Sequence, residues 1–307
     1  MPCPSRRPSL FVLPSTVLVL FLMLALAARA QAQGDPPVGV RAAGMAGAFT
    51  AVADDASATV WNPAGLASGS FFSVAVDGSR FDAQNAQFVG VATPPLGLTY
   101  YRSATGGVGN SRNSLVAHNF GVSLVQSLGD TGVAVGTTLK WIHGVTSSPD
   151  AASLSANKFD ADLGVMVSGG LGQVGLTVRN LVQPSFEVPG GASTIRLDRK
   201  VRGGVAIHLA GETKIAGDVE FTKATTASGV WRDAAVGVES HPLERAWFRG
   251  GLHWNTAGGG PGGTGAAPIA AFGASYTIRG GFAADAQASV GSARGNRGWG
   301  VGARMAF

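Results

Sequence analysis

The last ten residues, "GWGVGARMAF" from Gly298 to Phe307, carry the pattern on which the fold of this chain depends. Apolar side chains occupy every second position, with glycine, alanine and one arginine between them. Successive side chains of a β-strand point to opposite faces, so one face of this strand is apolar and the other is small or polar. Lipid on one side and a packed interior on the other give this pattern in transmembrane β-barrels.

The same period of two recurs from Phe71 onward, with turn residues between the segments. Charged residues share one face: in residues 214–222, Lys214, Asp218 and Glu220 oppose apolar side chains. An Arg or Lys facing lipid at mid-membrane costs about 2–4 kcal/mol, so we expect these charges to point inward. The pattern predicts an all-β fold, a fourteen-stranded antiparallel transmembrane β-barrel. We place its strands at residues 71–77, 85–92, 96–102, 117–127, 132–143, 158–168, 173–180, 197–209, 213–222, 231–241, 246–254, 268–278, 281–289 and 298–307.

Composition and connection lengths favour a membrane barrel over the alternatives, a soluble β-sandwich or propeller. Only 13% of the residues are charged, and all 46 glycines follow residue 30. No later stretch approaches the ~20 apolar residues that a membrane helix needs. Short connections such as "TPP", "LGD" and "RGG" alternate with longer ones, among them residues 145–157. We therefore predict short periplasmic turns, longer outer loops and both chain ends in the periplasm.

The N-terminus predicts export to the bacterial outer membrane. Residues 1–30 have the features of a signal peptide: Arg6 and Arg7, an apolar run, and a cleavage site at Ala28-Arg29-Ala30. A transmembrane anchor is the alternative, but Pro14 interrupts the run. Cys3 is the only cysteine, so the mature chain would have no disulfide. Phe307 ends the last strand in the manner of a C-terminal membrane-insertion signal.

Residues 31–70 precede the first strand and include "GVRAAGMAGAFTAVADDASATVWNPAGLA", Gly39 to Ala67. Eight strands can be filled by side chains alone, whereas about 16–18 leave a channel, so fourteen strands need a plug. We predict that this segment is an N-terminal hatch in the lumen, followed by the barrel at residues 71–307. Asp54 and Asp55 would cap a helix or pair with lumen cations such as Lys200, Arg202, Arg249 and Arg304. The proposed hatch motif comprises Gly44, Gly47, Asp54, Asp55, Trp61, Asn62, Pro63 and Gly65.

This stretch resembles the N-terminal hatch of the FadL-type outer-membrane transporter superfamily. The resemblance lies in the glycine-rich lead, the Ala-Asp-Asp-Ala step at residues 53–56 and the Asn-Pro-Ala turn at residues 62–64. Trp61 before that turn and Gly65-Leu66 after it are most similar to the PorV-type branch, which includes TraF-like sequences. "FDADLG" from Phe159 and "VRNL" from Val178 are also typical of that branch.

The resemblance implies two functions. FadL-type members pass small hydrophobic compounds passively across the outer membrane, with the hatch as gate and a lateral opening in the wall as an exit. PorV-type members serve protein secretion or surface assembly without small-molecule transport. The predicted outer loops are too short to match those that capture long-chain fatty acids. A structural barrel with a sealed lumen is a third interpretation.

The inward charges are balanced, which predicts a network that fixes the hatch to the wall. We assign to it Asp160, Asp162, Arg179, Lys200, Arg202, Asp218, Glu220, Asp233, Glu239, Arg249, Asp285 and Arg304. The scattered histidines predict no metal site, and the absence of nucleophile and phosphate-loop motifs predicts no enzyme and no cofactor. After residue 30 the chain has 20 Lys and Arg and 18 Asp and Glu, a net charge of only +2, so we expect no nucleic-acid partner. Expected partners are outer-membrane lipid, the barrel-assembly machinery, and hydrophobic small molecules or secreted proteins.

Overall fold

The computed structural model describes residues 38–81, 84–105, 113–149, 151–190, 194–209, 212–226, 229–257, 268–291 and 297–307. The predicted signal peptide and the first residues of the predicted hatch lie outside these ranges, and the division of the chain at residues 30 and 70 stays a prediction. In the described part, no helix combines the length and the apolar character needed to cross a membrane.

Fourteen of the described strands form a closed antiparallel barrel, which confirms the predicted fold class. The chain's last strand pairs with its first and completes the cylinder. Two further pairs of short strands, β8–β9 and β12–β13, form separate hairpins. The strands are β1 (Ser73–Phe81), β2 (Gln84–Thr93), β3 (Leu96–Thr105), β4 (Ser114–Ser127), β5 (Val133–Ser148), β6 (Ala151–Gly169), β7 (Gly172–Arg179), β8 (Ser185–Glu187), β9 (Thr194–Arg196), β10 (Lys200–Leu209), β11 (Thr213–Glu220), β12 (Ala224–Thr226), β13 (Gly229–Trp231), β14 (Asp233–Leu243), β15 (Ala246–Asn255), β16 (Ile269–Arg279), β17 (Phe282–Gly291) and β18 (Gly298–Ala306).

The two faces of the wall differ as the alternation predicts. On β18, Trp299 and Val301 are exposed on the outside, whereas Gly300 between them is buried. On β6, Phe159 is 74% exposed while Asp160 is 4% exposed. Because closure leaves no unpaired edge, the backbone polar groups of the wall are satisfied within the sheet. The outside is therefore apolar and the charged side chains point inward.

The prediction of a long loop at residues 145–157 is wrong, because β5 and β6 continue through it. Gly144 pairs with Ala156 and Thr146 with Leu154, and β6 begins three residues after β5 ends. Val145 and Thr146 are β-branched and favour a strand, whereas the many serines and alanines of this stretch suggested a loop. The other predicted long loops, residues 103–114 and 255–267, lie mostly outside the described residues.

Residues 38–68, hereafter the inner segment, contain α1 (Val40–Gly44), α2 (Ala58–Trp61) and a 3₁₀ helix (Pro63–Ser68). Contacts of α1 are with β1 and β15–β18, those of α2 with β3 and β4, and those of the 3₁₀ helix with β4–β6. Its apolar side chains, such as Phe49 and Met45, are buried and form one core with inward residues of the wall. The wall thus surrounds the inner segment.

Candidate functional site

Inward-facing glycines of the wall receive the backbone of the inner segment. A Cβ atom added to Gly136 would lie 2.4 Å from the carbonyl carbon of Pro63, and one added to Gly175 would lie 2.5 Å from the Thr50 oxygen. Backbone therefore packs directly on backbone, an approach that only glycine permits. The glycines that meet the backbone of the inner segment in this way are Gly90, Gly136, Gly164, Gly175, Gly237, Gly251 and Gly273, whereas a Cβ on Gly97, Gly204 or Gly300 would meet side chains of the segment.

The three glycines of the proposed hatch motif also lie in close contacts. A Cβ on Gly44 would lie 3.0 Å from the Gly273 Cα of β16, and one on Gly65 would lie 1.9 Å from the Ala53 oxygen. Gly47 has φ +77° and lies against the Trp61 ring. The first contact joins the segment to the wall, and the others hold the segment in its own fold.

Asn62 and its neighbours fix the turn at the middle of the barrel. The Asn62 side-chain amide donates hydrogen bonds to the Thr50 oxygen at 3.0 Å and to the Val165 oxygen of β6 at 3.2 Å. Its Oδ1 accepts from the Ala64 amide at 3.2 Å, which caps the 3₁₀ helix with Pro63 in its first position. Trp61 Nε1 donates to the Val38 oxygen at 2.7 Å. This turn therefore joins three parts of the segment to one wall strand.

Arg41 lies at the centre of the first of two ion clusters that join the segment to the wall. Its Nε and Nη2 donate to the two Glu239 oxygens of β14 at 2.8 and 2.7 Å, a bidentate pair. Its Nη1 donates to Asp54 and, at 2.9 Å, to Asp55. Lys214 of β11 pairs with Asp54 at 2.8 Å. The aspartate pair is thus held by a cation of its own segment and by Lys214, neither of which is among the partners expected from the sequence.

The second cluster centres on Asp218 of β11. Asp218 Oδ2 accepts hydrogen bonds from the Phe49 and Thr50 amides at 3.1 and 3.0 Å and from the Thr50 hydroxyl at 2.7 Å. Arg202 Nε donates to the same oxygen at 2.9 Å, and Arg202 Nη2 donates to the Gly47 oxygen at 2.8 Å. One carboxylate and one guanidinium of the wall therefore bind the backbone of residues 47–50.

Other inward charges predicted for the network pair among wall strands. Lys140 of β5 pairs with Asp160 at 2.8 Å and Asp162 at 2.7 Å. Arg249 pairs with Glu239 at 2.5 Å. Asp233 pairs with Arg202 at 2.7 Å, and Asp285 pairs with Arg304 at 3.2 Å. Arg179 lies over the Trp61 ring at 5.8 Å, and Lys200 is opposite Arg179 in the β7–β10 ladder. Glu220 accepts a hydrogen bond from the Thr222 hydroxyl.

The predicted network left out three cations that complete these clusters: Arg41, Lys140 and Lys214. Lys214 was predicted to point inward but was not assigned to the network. Lys140 also stands at an inward position of its strand, so the parity rule could have found it. Arg41 lies outside the predicted strands, and its position two residues before Gly44 shows nothing of its partners. In the described residues, no group of three or more His, Cys, Asp or Glu side chains could hold a metal ion.

Burial and charge set the protonation of the first cluster. Burial alone would raise the pKa of Asp55, but the Arg41 guanidinium and the Ser57 hydroxyl hold it below its ordinary value. Burial opposes the charge of Arg41, but Asp54 and Glu239 raise its pKa well above the usual range. Arg41 and Asp55 are therefore ionised at neutral pH.

We expect the stabilising contribution of Asp55 to vanish in acid. Since its folded pKa is below the ordinary 3.8, the contribution is full above that value and is lost as pH falls through the folded pKa. Asp55→Asn should therefore lower the thermal midpoint at pH 7, and the gap from the wild type should close as pH falls below about 3.8. Melting curves of both proteins in detergent measure this, and a gap independent of pH would contradict it.

The β8–β9 hairpin covers part of the lumen at the end of the barrel that lies away from the short turns. Phe186, in β8, is 2% exposed and lies on Gly144 of β5, where an added Cβ would come within 2.3 Å of its ring. It packs with the inward residues Leu115 and Ile142 in a second apolar cluster. Thr146 Oγ1 donates to the Glu187 oxygen at 2.6 Å and ties the hairpin to the wall.

A pair of glycines on β6 tests the backbone contact. A Cβ on Gly164 would lie 2.1 Å from Asn62 Oδ1, whereas one on Gly169 would meet nothing within 4 Å. We expect Gly164→Ala to displace the Asn62 turn and to destabilise the folded barrel by about 1–3 kcal/mol, the usual cost of overpacking. Gly169→Ala is the matched control and should melt like the wild type. Equal melting of the two variants would show that this contact does not hold the segment.

Comparisons with known proteins place the fold. No family model and no curated protein sequence matches the chain. Among solved structures, the "CymD monoaromatic hydrocarbon channel" is 12% identical with a TM-score of 0.67, covering 89% of this chain and 98% of that chain. The Pseudomonas putida toluene transporter TodX is 10% identical with a TM-score of 0.62, covering 90% and 98%.

These neighbours are FadL-type fourteen-stranded barrels of the outer membrane, and they support the predicted fold. At this level of identity the likeness concerns the fold alone. The comparisons give no support to the PorV-type and TraF-like branch or to a role in secretion.

Proposed function

We propose that this chain is an outer-membrane barrel that passes small hydrophobic compounds passively, with the inner segment as its gate. The observation that carries the proposal is the inner segment, enclosed by a closed fourteen-stranded wall and joined to it by two ion clusters. Two structures with this fold are described as a monoaromatic hydrocarbon channel and a toluene transporter.

The lumen has the chemistry that such a route needs at its outer end. An apolar compound entering there meets Leu115, Ile142 and Phe186, which are packed on each other and buried. Displacing the Phe186 side chain would leave an apolar surface for the compound, because apolar area is recovered from water on binding. The compound then has to pass the inner segment.

The contacts of the inner segment suit a gate. Polar bonds to Glu239 and Asp218 and backbone contacts with glycines join it to the wall. Both ion clusters are buried, and removing one charged partner leaves the other without compensation, so a few charged residues decide whether the segment stays in place. The segment can therefore shift within the barrel while the hydrogen-bonded wall stays intact.

A reversible cross-link tests the gate. Ala48 of the segment faces Gly237 of β14, where an added Cβ would lie 3.2 Å from the Ala48 Cβ. A Cβ at Gly237 would also lie 2.7 Å from the Met45 oxygen, so Gly237→Cys must displace the segment slightly. That displacement brings the Cβ atoms closer to the ~3.5–4.5 Å that a disulfide needs, and Ala48→Cys with Gly237→Cys can then form one. The variant is placed in liposomes, and uptake of a radiolabelled monoaromatic compound is measured before and after reduction.

Reduction should raise uptake from the level of protein-free liposomes to that of the single Gly237→Cys variant. Each single-cysteine variant, treated in the same way, is the control and should not respond to reductant. Equal uptake by the cross-linked and reduced forms would contradict the gate. Wild-type protein no faster than empty liposomes would contradict the transport function itself.

A further inference from the structure

A groove of about 660 Å³ runs across the outer surface of the wall, on β18 and β1–β4, towards the ends of the strands that lie away from the short turns. It contains polar side chains at positions that face away from the lumen, including Arg80, Asn85 and Gln87. Trp299 and Val301 of β18, both more than half exposed, form its apolar side. Nothing in the transport route uses this surface.

The apolar band of the barrel is short beneath the groove. On β2 only two outward apolar residues, Val89 and Val91, separate Gln87 from the lower turn, whereas β17 has an outward apolar residue at every second position from Phe282 to Val290. At about 3.3 Å per residue and a tilt near 40°, Gln87 stands ~15 Å above Thr93. A uniform apolar band would be ~25 Å tall. The outward polar groups of β2 therefore lie deeper in the expected apolar band than those of β17.

Two arginines give the groove and its border a positive charge: Arg80 lines the groove, and Arg102 lies beside it, bonded to the lining residue Asn85. Asn85 lies directly opposite Arg80 in the β1–β2 ladder, and its Oδ1 accepts a hydrogen bond from Arg102 Nη1 at 2.9 Å. Asn85 is therefore the ladder partner of Arg80 and the hydrogen-bond partner of Arg102. Among the described outward-facing residues of β18 and β1–β4 there is no aspartate or glutamate. An anion that enters the groove would meet two cations and no opposing carboxylate.

Neighbouring side chains mark the headgroup level. Tyr100, Phe120 and Trp141 form an outward aromatic row, with ring centroids 5.0 and 5.3 Å apart. Such rows lie at the membrane–water interface. His118, two residues above Phe120, accepts or donates a hydrogen bond at 2.9 Å with the Tyr100 hydroxyl. Arg102 stands opposite His118 in the ladder, so it lies just above this row.

We propose that the groove binds the phosphate-bearing headgroup of an outer-leaflet lipid, with its phosphate between Arg80 and Arg102 and its acyl chains over Val89 and Val301. Arginine suits this ligand because its planar group donates two parallel hydrogen bonds to phosphate oxygens. Asn85 and Gln87 supply further donors for the headgroup. The inference depends on the outer-membrane placement in the proposed function and not on the transported compound.

Native mass spectrometry of the mature protein in detergent tests the proposal with bisphosphorylated lipid A, its dephosphorylated form and inorganic phosphate. The wild type should retain the bisphosphorylated lipid, and Arg80→Ala with Arg102→Ala should weaken retention by about tenfold or more. Arg80→Lys with Arg102→Lys should restore part of it. Arg245→Ala with Arg279→Ala removes two cations at the short-turn rim and is the matched control.

Three outcomes would overturn the proposal: equal retention by the wild type and the double alanine variant, equal retention of the dephosphorylated lipid, and displacement of the lipid by excess inorganic phosphate. The last would indicate a site for the free ion. Transport by the reduced cysteine variant is measured separately, so failure of lipid binding and failure of the proposed transport are distinguishable.

Discussion

Arg41→Met should release the inner segment from the wall and open the barrel to small solutes. Methionine keeps much of the buried volume of the arginine but removes the cation shared by Asp54, Asp55 and Glu239. Removing one partner of a buried ion pair typically costs about 3–5 kcal/mol, because the remaining charge stays buried without compensation. Lys214 and Arg249 would still neutralise part of the acidic group.

The variant is measured in two ways: by its thermal midpoint in detergent and by the sensitivity of cells to small antibiotics that the wild-type barrel excludes. Arg196→Met is the matched control, because Arg196 pairs with Asp198 on the surface and its side chain is 60% exposed. Such exposed pairs contribute about 0–1 kcal/mol. Asp54→Ala with Asp55→Ala should have a smaller effect, since Arg41 keeps its bidentate bond to Glu239. If the Arg41→Met protein folds normally and the cells keep wild-type antibiotic sensitivity, the ion pairs of Arg41 do not close the gate.

The barrel could be predicted because the pattern that indicates it lies within each single strand. Whether a side chain faces lipid or lumen depends on the parity of its position in one strand, as for Ile215 and Asp218 on β11. Strand number follows from the turns between such runs. The stretch at residues 145–157 was misread because Ser153, Ser155 and Asn157 occupy outward positions of β6, so its apolar alternation is weak.

The contacts of the inner segment could not be predicted, because they depend on which strands the closed barrel brings together. Asp54 and Asp55 were expected near cations, and they are near cations, but Arg41 and Lys214 lie 13 and 160 residues from Asp54. No pattern in the sequence selects these two among the inward charges.

The contacts of the wall glycines could not be predicted from the sequence either. Gly164 and Gly169 both stand in one strand, and only the position of Asn62 across the lumen gives the first a tight contact and the second none. The hairpin at Phe186 was missed because its strands, β8 and β9, have three residues each, too few for a periodic signal.

Asp218→Asn should loosen the same gate from the opposite wall. The substitution keeps the shape of the side chain, so its effect reports the lost charge at an atom that accepts bonds from Phe49, Thr50 and Arg202. Hydrogen bonds to a charged group contribute about 1.5–3 kcal/mol each, and Arg202 would keep only Asp233 as an ionic partner.

We therefore expect Asp218→Asn to destabilise the folded protein by at least ~2 kcal/mol and to raise antibiotic sensitivity. Asp130→Asn removes an exposed carboxylate in the β4–β5 turn and should leave both quantities unchanged. Combining Asp218→Asn with Arg41→Met separates two possibilities. If the clusters hold the segment independently, their effects on the thermal midpoint add; if loss of either frees the whole segment, the double variant melts no lower than Arg41→Met alone. A midpoint for Asp218→Asn equal to that of Asp130→Asn would remove Asp218 from the gate.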